Sequence, residues 1–195
     1  MLDPLDASKY FIVRAYEAEK DSSMTNMKLQ KLLYYAQSLY LALYDQPLFD
    51  EEIQAWRYGP VCPPAYRYYS EYEGKQLPIP SDSGLSLIPA EIKDLLEEVW
   101  AYFGVHKAYE LSDMTHDETP WREARGDLPR EASSQAPLDL EEMKKLGKSK
   151  LAEIETQNPA YEPVMAGVLK EALSSNDVNP IEKEAVRGWL ESLLD

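Results

Sequence analysis

One run, Met24 to Tyr72, constrains the fold more than any other part of the chain, and its centre is Thr25-Asn26-Met27-Lys28-Leu29-Gln30-Lys31-Leu32-Leu33-Tyr34-Tyr35-Ala36-Gln37. Leu29, Leu32, Leu33, Ala36, Leu39, Tyr40 and Leu43 recur at steps of three and four. At about 100° per residue they occupy an arc of roughly 120°, which is one core-facing helical stripe. Tyr34 and Leu41 project from another side, between Gln30 and Gln37. A helix covered on two surfaces belongs at the centre of a domain. Lys28 and Lys31 fall away from the main stripe, where a solvated face or local ion pairs account for them.

The remaining elements arrange themselves around that helix. Asp6 can cap a first helix from Ala7 to about Lys20. After Tyr44, the run from Pro47 to Val61 is rich in aromatic and β-branched residues and includes Gly59-Pro60, the mark of a short strand or hairpin arm. Pro63 and Pro64 open a tyrosine-rich helix that reaches Gly74. Another helix starts at Pro89 and ends at Gly104, and a shorter one runs from His106 or Lys107 to Met114. Thr115 and Glu118 then have capping-box spacing, and Thr119-Pro120-Trp121 repeats the start signal with Thr119 as cap. Residues 126–137 have linker composition. Asp139 caps a helix interrupted by Gly147, and two more helices are expected at Val164–Leu173 and Pro180–Leu194. The fold class is therefore mainly α: a compact multi-helix domain with a short β hairpin or extended arm around 48–61 and a helical C-terminal extension. The domain is assigned to residues 1–150, with residues 151–195 packed on it as the extension.

Composition excludes several functions. Thirty-five acids against 20 bases give a formal net charge of −15, which opposes tight binding to duplex DNA by the chain alone and suits a basic protein partner. Cys62 is the only cysteine, so neither an intrachain disulfide nor a cysteine-based zinc site is available. The N-terminus lacks the features of a signal peptide, and no apolar run approaches the roughly 20 residues that span a bilayer. A cytoplasmic protein that does not enter membranes is expected.

Chemistry is hard to place. His116-Asp117-Glu118 could transfer protons or bind a metal, making a hydrolase or metal enzyme centred on His116 the enzymatic alternative. The spacing suits neither use, because metal sites usually draw two or more His or Cys at i, i+3 or i+4. No nucleophile elbow and no phosphate-cradling glycine loop is present. We therefore expect no enzyme activity, no cofactor and no metal, with Thr115, His116 and Trp121 serving structure. Trp56, Arg57 and Tyr58 form the kind of aromatic and arginine group that dominates protein interfaces, with Tyr66 and Tyr69 as further candidates. An amphipathic strand laid over the central helix accounts for Trp56 and Tyr58 equally well, and packing over that helix with hydroxyls reaching solvent accounts for the tyrosines better.

Three separated blocks resemble the Panacea domain, also called the SocA-like antitoxin domain, of toxin-antitoxin modules. The first is Met27 to Ala36, containing Lys28, Leu29, Gln30, Lys31, Leu32, Tyr34 and Tyr35. The second runs from Pro47-Leu48-Phe49 to Ala55-Trp56-Arg57-Tyr58-Gly59-Pro60-Val61. The third is Leu111 to Trp121, with Thr115, His116 and Pro120. Their order and spacing are similar to the family's over about residues 8–150. The resemblance implies an antitoxin that neutralises a cognate toxin by direct protein-protein contact. It implies as the alternative a proteolytic adaptor that hands a bound partner to a protease.

Overall fold

The structure, a computed structural model, describes residues 1–18, 23–81 and 85–157. Helix α1 (Pro4–Glu17) is followed by α2 (Asn26–Tyr44), strands β1 (Gln54–Trp56) and β2 (Gly59–Val61), and helix α3 (Pro63–Tyr68). Then come α4 (Ala90–Phe103), α5 (Ala108–Asp117), α6 (Thr119–Arg125) and α7 (Leu140–Gln157), with short 3₁₀ turns at Ser70–Tyr72 and Leu85–Leu87. The fold of the described residues is mainly helical, as the periodicities imply, with one antiparallel hairpin in the register Gln54↔Val61, Ala55↔Pro60, Trp56↔Gly59. The helices expected at Val164–Leu173 and Pro180–Leu194 lie outside the described residues.

Helix α2 is the axis of the compact unit Met1–Ile154, and α1, α3, α4, α5 and β2 pack against it. Leu29, Leu32, Leu33, Tyr34, Tyr35, Ala36 and Leu39 are fully buried, and Leu41 nearly so. Both apolar surfaces read from the sequence are therefore covered, except at the C-terminal end, where Tyr40 and Leu43 are half-buried. Tyr35 stacks on Phe103 of α4 with centroids 3.7 Å apart and planes 6° apart. On the flank, Glu97 of α4 accepts from Tyr10 and from two nitrogens of Arg14 on α1, locking those helices together.

Several local expectations need correction. Helix α1 starts earlier, because Asp3 caps it by accepting from the Leu5 N–H and Pro4 takes the first turn. Thr115 caps nothing: α5 runs on to Asp117, so Thr115 sits in its last turn and donates back to the Ser112 carbonyl. Glu118 is the cap position of α6, and Thr119 is already helical. Asp139 does cap α7, accepting from the Glu142 N–H, but Gly147 does not interrupt that helix.

The segment 126–137 is not a loose linker either. Its end lies along β1: the Ala55 N–H donates to Ala136 O and the Leu138 N–H to Ile53 O, both at 2.8 Å. It thus covers the outer edge of the hairpin, where unpaired backbone groups would otherwise face solvent.

Candidate functional site

The largest correction concerns the polar residues of α2. Lys28 and Lys31 are 3% and 1% exposed, not solvated. Apolar side chains on two sides of a helix leave little surface for water, so the lysines are enclosed with them. A buried donor needs an acceptor, and each finds irregular backbone: Lys28 Nζ donates to Gly104 O at 2.6 Å and Lys31 Nζ to Pro60 O at 2.9 Å. Three further buried side chains of α2 do the same work. Asn26 donates to Tyr66 O, Gln30 accepts from the Cys62 N–H, and Gln37 accepts from the Leu48 and Phe49 N–H groups. The helix thereby holds the turn at Leu48 and Phe49, the end of the hairpin at Pro60 and Cys62, Tyr66 of α3 and Gly104 after α4.

The hairpin is fastened from its other side by α5 and α6. Arg125 donates to Ala55 O (3.3 Å), Trp121 Nε1 to Trp56 O (2.8 Å) and Ser112 to Tyr58 O (3.1 Å), while His116 Nε2 contacts Arg57 O at 3.1 Å. With Lys31 on Pro60, five hairpin carbonyls are each held by a side chain. Because a carbonyl can only accept, His116 carries its proton on Nε2. Its Nδ1 accepts from Arg130 at 2.9 Å, so both ring nitrogens are engaged. Burial and the neighbouring Arg130 hold the His116 pKa below its ordinary value. Such a histidine is a neutral structural clamp. Arg125 also donates to Pro129 O, Arg130 O and Ala132 O, tying the covering segment to the hairpin.

Held in this way, the hairpin turn forms one wall of a cleft of about 760 Å³. Trp56, Arg57, Tyr58 and Tyr66 line it, together with Met27, Gln30, Lys31 and Val61. The Trp56 and Tyr66 rings meet edge to face at 4.8 Å, and the Arg57 guanidinium lies over Tyr58 at 5.1 Å while pairing with Glu131. Tyr58 is 56% exposed. Tyr69 is buried against Tyr68 and does not line the cleft. Sequence reasoning missed Tyr109, which is 74% exposed, and Ser133, Ser134 and Gln135, all of which border the same space. Exposed side chains leave no periodic trace, so only the fold brings these to Trp56. The motif residues Leu29, Leu32, Tyr34, Tyr35, Gly59, Pro60, Thr115, Pro120 and Trp121 are buried. Among the described residues no group of three or more His, Cys, Asp or Glu could hold a metal ion, and no helix is long and apolar enough to cross a membrane.

Two buried charges set the response to pH. Glu118 accepts from Tyr35 at 2.9 Å and has Lys150 4.0 Å away; burial nevertheless pushes its carboxyl up to about 7. Burial pushes the Lys31 ammonium down to about 7. Between about pH 4.5 and 7 the folded state keeps a proton on Glu118 that the unfolded state releases, so stability falls as pH rises. Between about pH 7 and 10.5 the unfolded state holds a proton on Lys31 that the folded state has lost, so stability rises with pH. Each limb has a slope of at most about 1.4 kcal/mol per pH unit. Urea unfolding of the wild type minus Glu118→Gln should isolate the falling limb, and minus Lys31→Met the rising one. Parallel profiles for wild type and variants would show that neither group is buried as described.

Comparison with known proteins places this architecture. Residues 29–122 match the family described as Antitoxin SocA-like, Panacea domain. The chain is 33% identical over 115 residues to Antitoxin SocA of Caulobacter vibrioides (strain NA1000 / CB15N), covering 53% of this chain and 61% of that protein. The chain thus spans less than two thirds of the relative's length. No solved structure matches it. The matched segment runs from the buried face of α2, through the hairpin and the cleft wall, to Arg122 on α6, and it is over this segment that the chain is similar to the Antitoxin SocA-like, Panacea domain family.

Proposed function

We propose that this protein is a non-enzymatic antitoxin that neutralises a cognate toxin by direct binding, with the aromatic cleft as its recognition surface. The observation that carries this reading is the cleft itself: Trp56, Tyr58, Tyr66 and Tyr109 stand around a hairpin whose carbonyls are already tied down. Tyr and Trp supply contact area at small entropic cost, and a fixed backbone reduces the ordering required on binding. Ser133, Ser134 and Gln135 add adaptable hydrogen-bonding groups of the kind found in antibody paratopes. The name of the relative, Antitoxin SocA, agrees with a protective role. His116, both of whose ring nitrogens are engaged, is unsuited to proton transfer, which supports a binding role over catalysis. The net charge of −15 favours a basic toxin and opposes duplex DNA, through long-range attraction and repulsion.

The test is co-expression with the product of the adjoining reading frame. Growth should be arrested by that product alone and restored when this chain is present, and the two should co-purify. Trp56→Ala with Tyr58→Ala should weaken the complex at least tenfold, about 1.4 kcal/mol or more, while leaving the urea midpoint of the free protein nearly unchanged. Rescue without a complex would remove direct neutralisation. Rescue that disappears when the host's ATP-dependent proteases are deleted, with the partner's half-life lengthening, would identify the proteolytic adaptor instead.

A further inference from the structure

The cleft holds one group whose chemistry the chain itself leaves incomplete. Lys31 borders the space although it is only 1% exposed. Its ammonium has three N–H donors, and the hydrogen bond shown for it is the one to Pro60 O at 2.9 Å. No carboxylate pairs with it among the described residues. The other cation in the lining, Arg57, is neutralised by Glu131, and the lining carboxylate Glu73 forms no ion pair with Lys31. Met27, Trp56, Tyr58, Val61, Tyr66 and Tyr109 give the cleft a large apolar share, beside polar residues such as Thr25, Gln30, Ser133 and Gln135. A buried ammonium lacking a counter-ion is costly, and its stability is recovered most directly by an anion brought beside it.

We propose that the occupant of this cleft is an apolar segment of the partner protein carrying a single Asp or Glu side chain, whose carboxylate pairs with Lys31. Lys31 is only 1% exposed, so a group on a flexible side chain can reach it more readily than the backbone carboxylate at a chain end. The acid must be single and flanked by apolar residues, because the chain's net charge of −15 repels an acidic run. Long-range attraction of a basic partner and a local demand for one carboxylate act at different distances, so they do not conflict. The paired Lys31 would act as a specificity-determining residue: a partner with Gln or Leu at that point would leave it without a counter-ion.

Three short peptides test the idea on the full-length protein: acetyl-leucyl-glutamyl-tryptophan amide, its glutaminyl counterpart, and the glutaminyl peptide with a free C-terminal carboxylate. Binding is followed by NMR through the Cε–Hε signal of Lys31. The glutamyl amide should bind at least tenfold more tightly than the glutaminyl amide and raise the midpoint of the Lys31 titration by a pH unit or more. In Lys31→Met, checked for folding by circular dichroism, the tenfold preference should vanish. Should that variant not fold, the shift of the Lys31 titration in the wild type decides alone.

Equal binding of the two amides, or a preference that survives in Lys31→Met, would overturn the proposal. So would a free-carboxylate peptide that binds as tightly as the glutamyl one, which would assign the cleft to a chain end, or an absence of saturable binding by any of the three. This occupancy rests on the binding role proposed above, yet the two fail separately. Neutralisation that persists without a glutamyl preference removes only the occupant, whereas failure to neutralise removes the role.

Discussion

Gly147→Ala should detach α7 from the core and destabilise the protein by about 3 kcal/mol or more, although alanine is the better helix former by about 1 kcal/mol. Helix α7 (Leu140–Gln157) crosses α2 with no side chain between them at this point. A Cβ built on Gly147 would stand 2.0 Å from the Ser38 carbonyl oxygen and 2.9 Å from the Ala42 Cβ. The first of these is backbone of the central helix and cannot turn aside, so the helices must separate. Separation would loosen Met143, Leu151 and Ile154, which are 0%, 7% and 1% exposed, and would draw Lys150 away from Glu118. The check is urea unfolding of Gly147→Ala beside Lys148→Ala, an exposed neighbour on the same helix, which should be neutral within about 0.5 kcal/mol. A Gly147→Ala protein as stable as the wild type would mean that α7 does not pack against α2 as described.

This glycine shows where reading the chain alone stops. In sequence, Gly147 interrupts an apolar periodicity and looks like a weak point; in the fold it is the place where two helices touch backbone to backbone. The core stripe of α2 was legible because burial of Leu, Tyr and Ala imposes a period on the sequence. The lysines beside it were not, since their acceptors, Gly104 O and Pro60 O, are presented by segments 76 and 29 residues away. Only the second apolar surface, marked by Tyr34 and Leu41, hinted that no solvated face remained. The covering segment was misread for a related reason. Pro129, Ser133, Ser134 and Pro137 have loop composition, but Arg125 and the edge of β1 supply hydrogen-bond partners that composition does not reveal. For the cleft, Trp56, Arg57, Tyr58 and Tyr66 were found by residue type, while Tyr69, chosen on the same ground, is buried elsewhere. Residue type indicates what a side chain can do at an interface, and the fold decides whether it reaches one.

Gly59→Ala should be at least as damaging, by about 3 to 5 kcal/mol, and it should also impair recognition of the partner. Two independent effects combine. Gly59 has φ +96°, a conformation that costs an L-residue about 1 to 3 kcal/mol. In addition, an added Cβ would lie 2.6 Å from Thr115 Oγ1, 2.8 Å from Lys31 Cε and 2.9 Å from Lys31 Nζ, and overpacking a filled site typically costs about 1 to 3 kcal/mol. Thr115 is fully buried and bonded to Ser112 O, and Lys31 is held by Pro60 O, so neither yields without losing its own hydrogen bond. The displacement would move β2 against the register Trp56↔Gly59 and carry Trp56 and Tyr58 out of the cleft wall. Gly126→Ala provides the control: φ there is +51°, but an added Cβ meets nothing within 4 Å, so only the conformational cost of about 1 to 2 kcal/mol applies. Urea unfolding of the two variants should therefore differ by about 2 kcal/mol. A Gly59→Ala protein no weaker than Gly126→Ala would show that the space between the hairpin, α2 and α5 is not filled, and the preorganised hairpin behind the proposed binding surface would lose its basis.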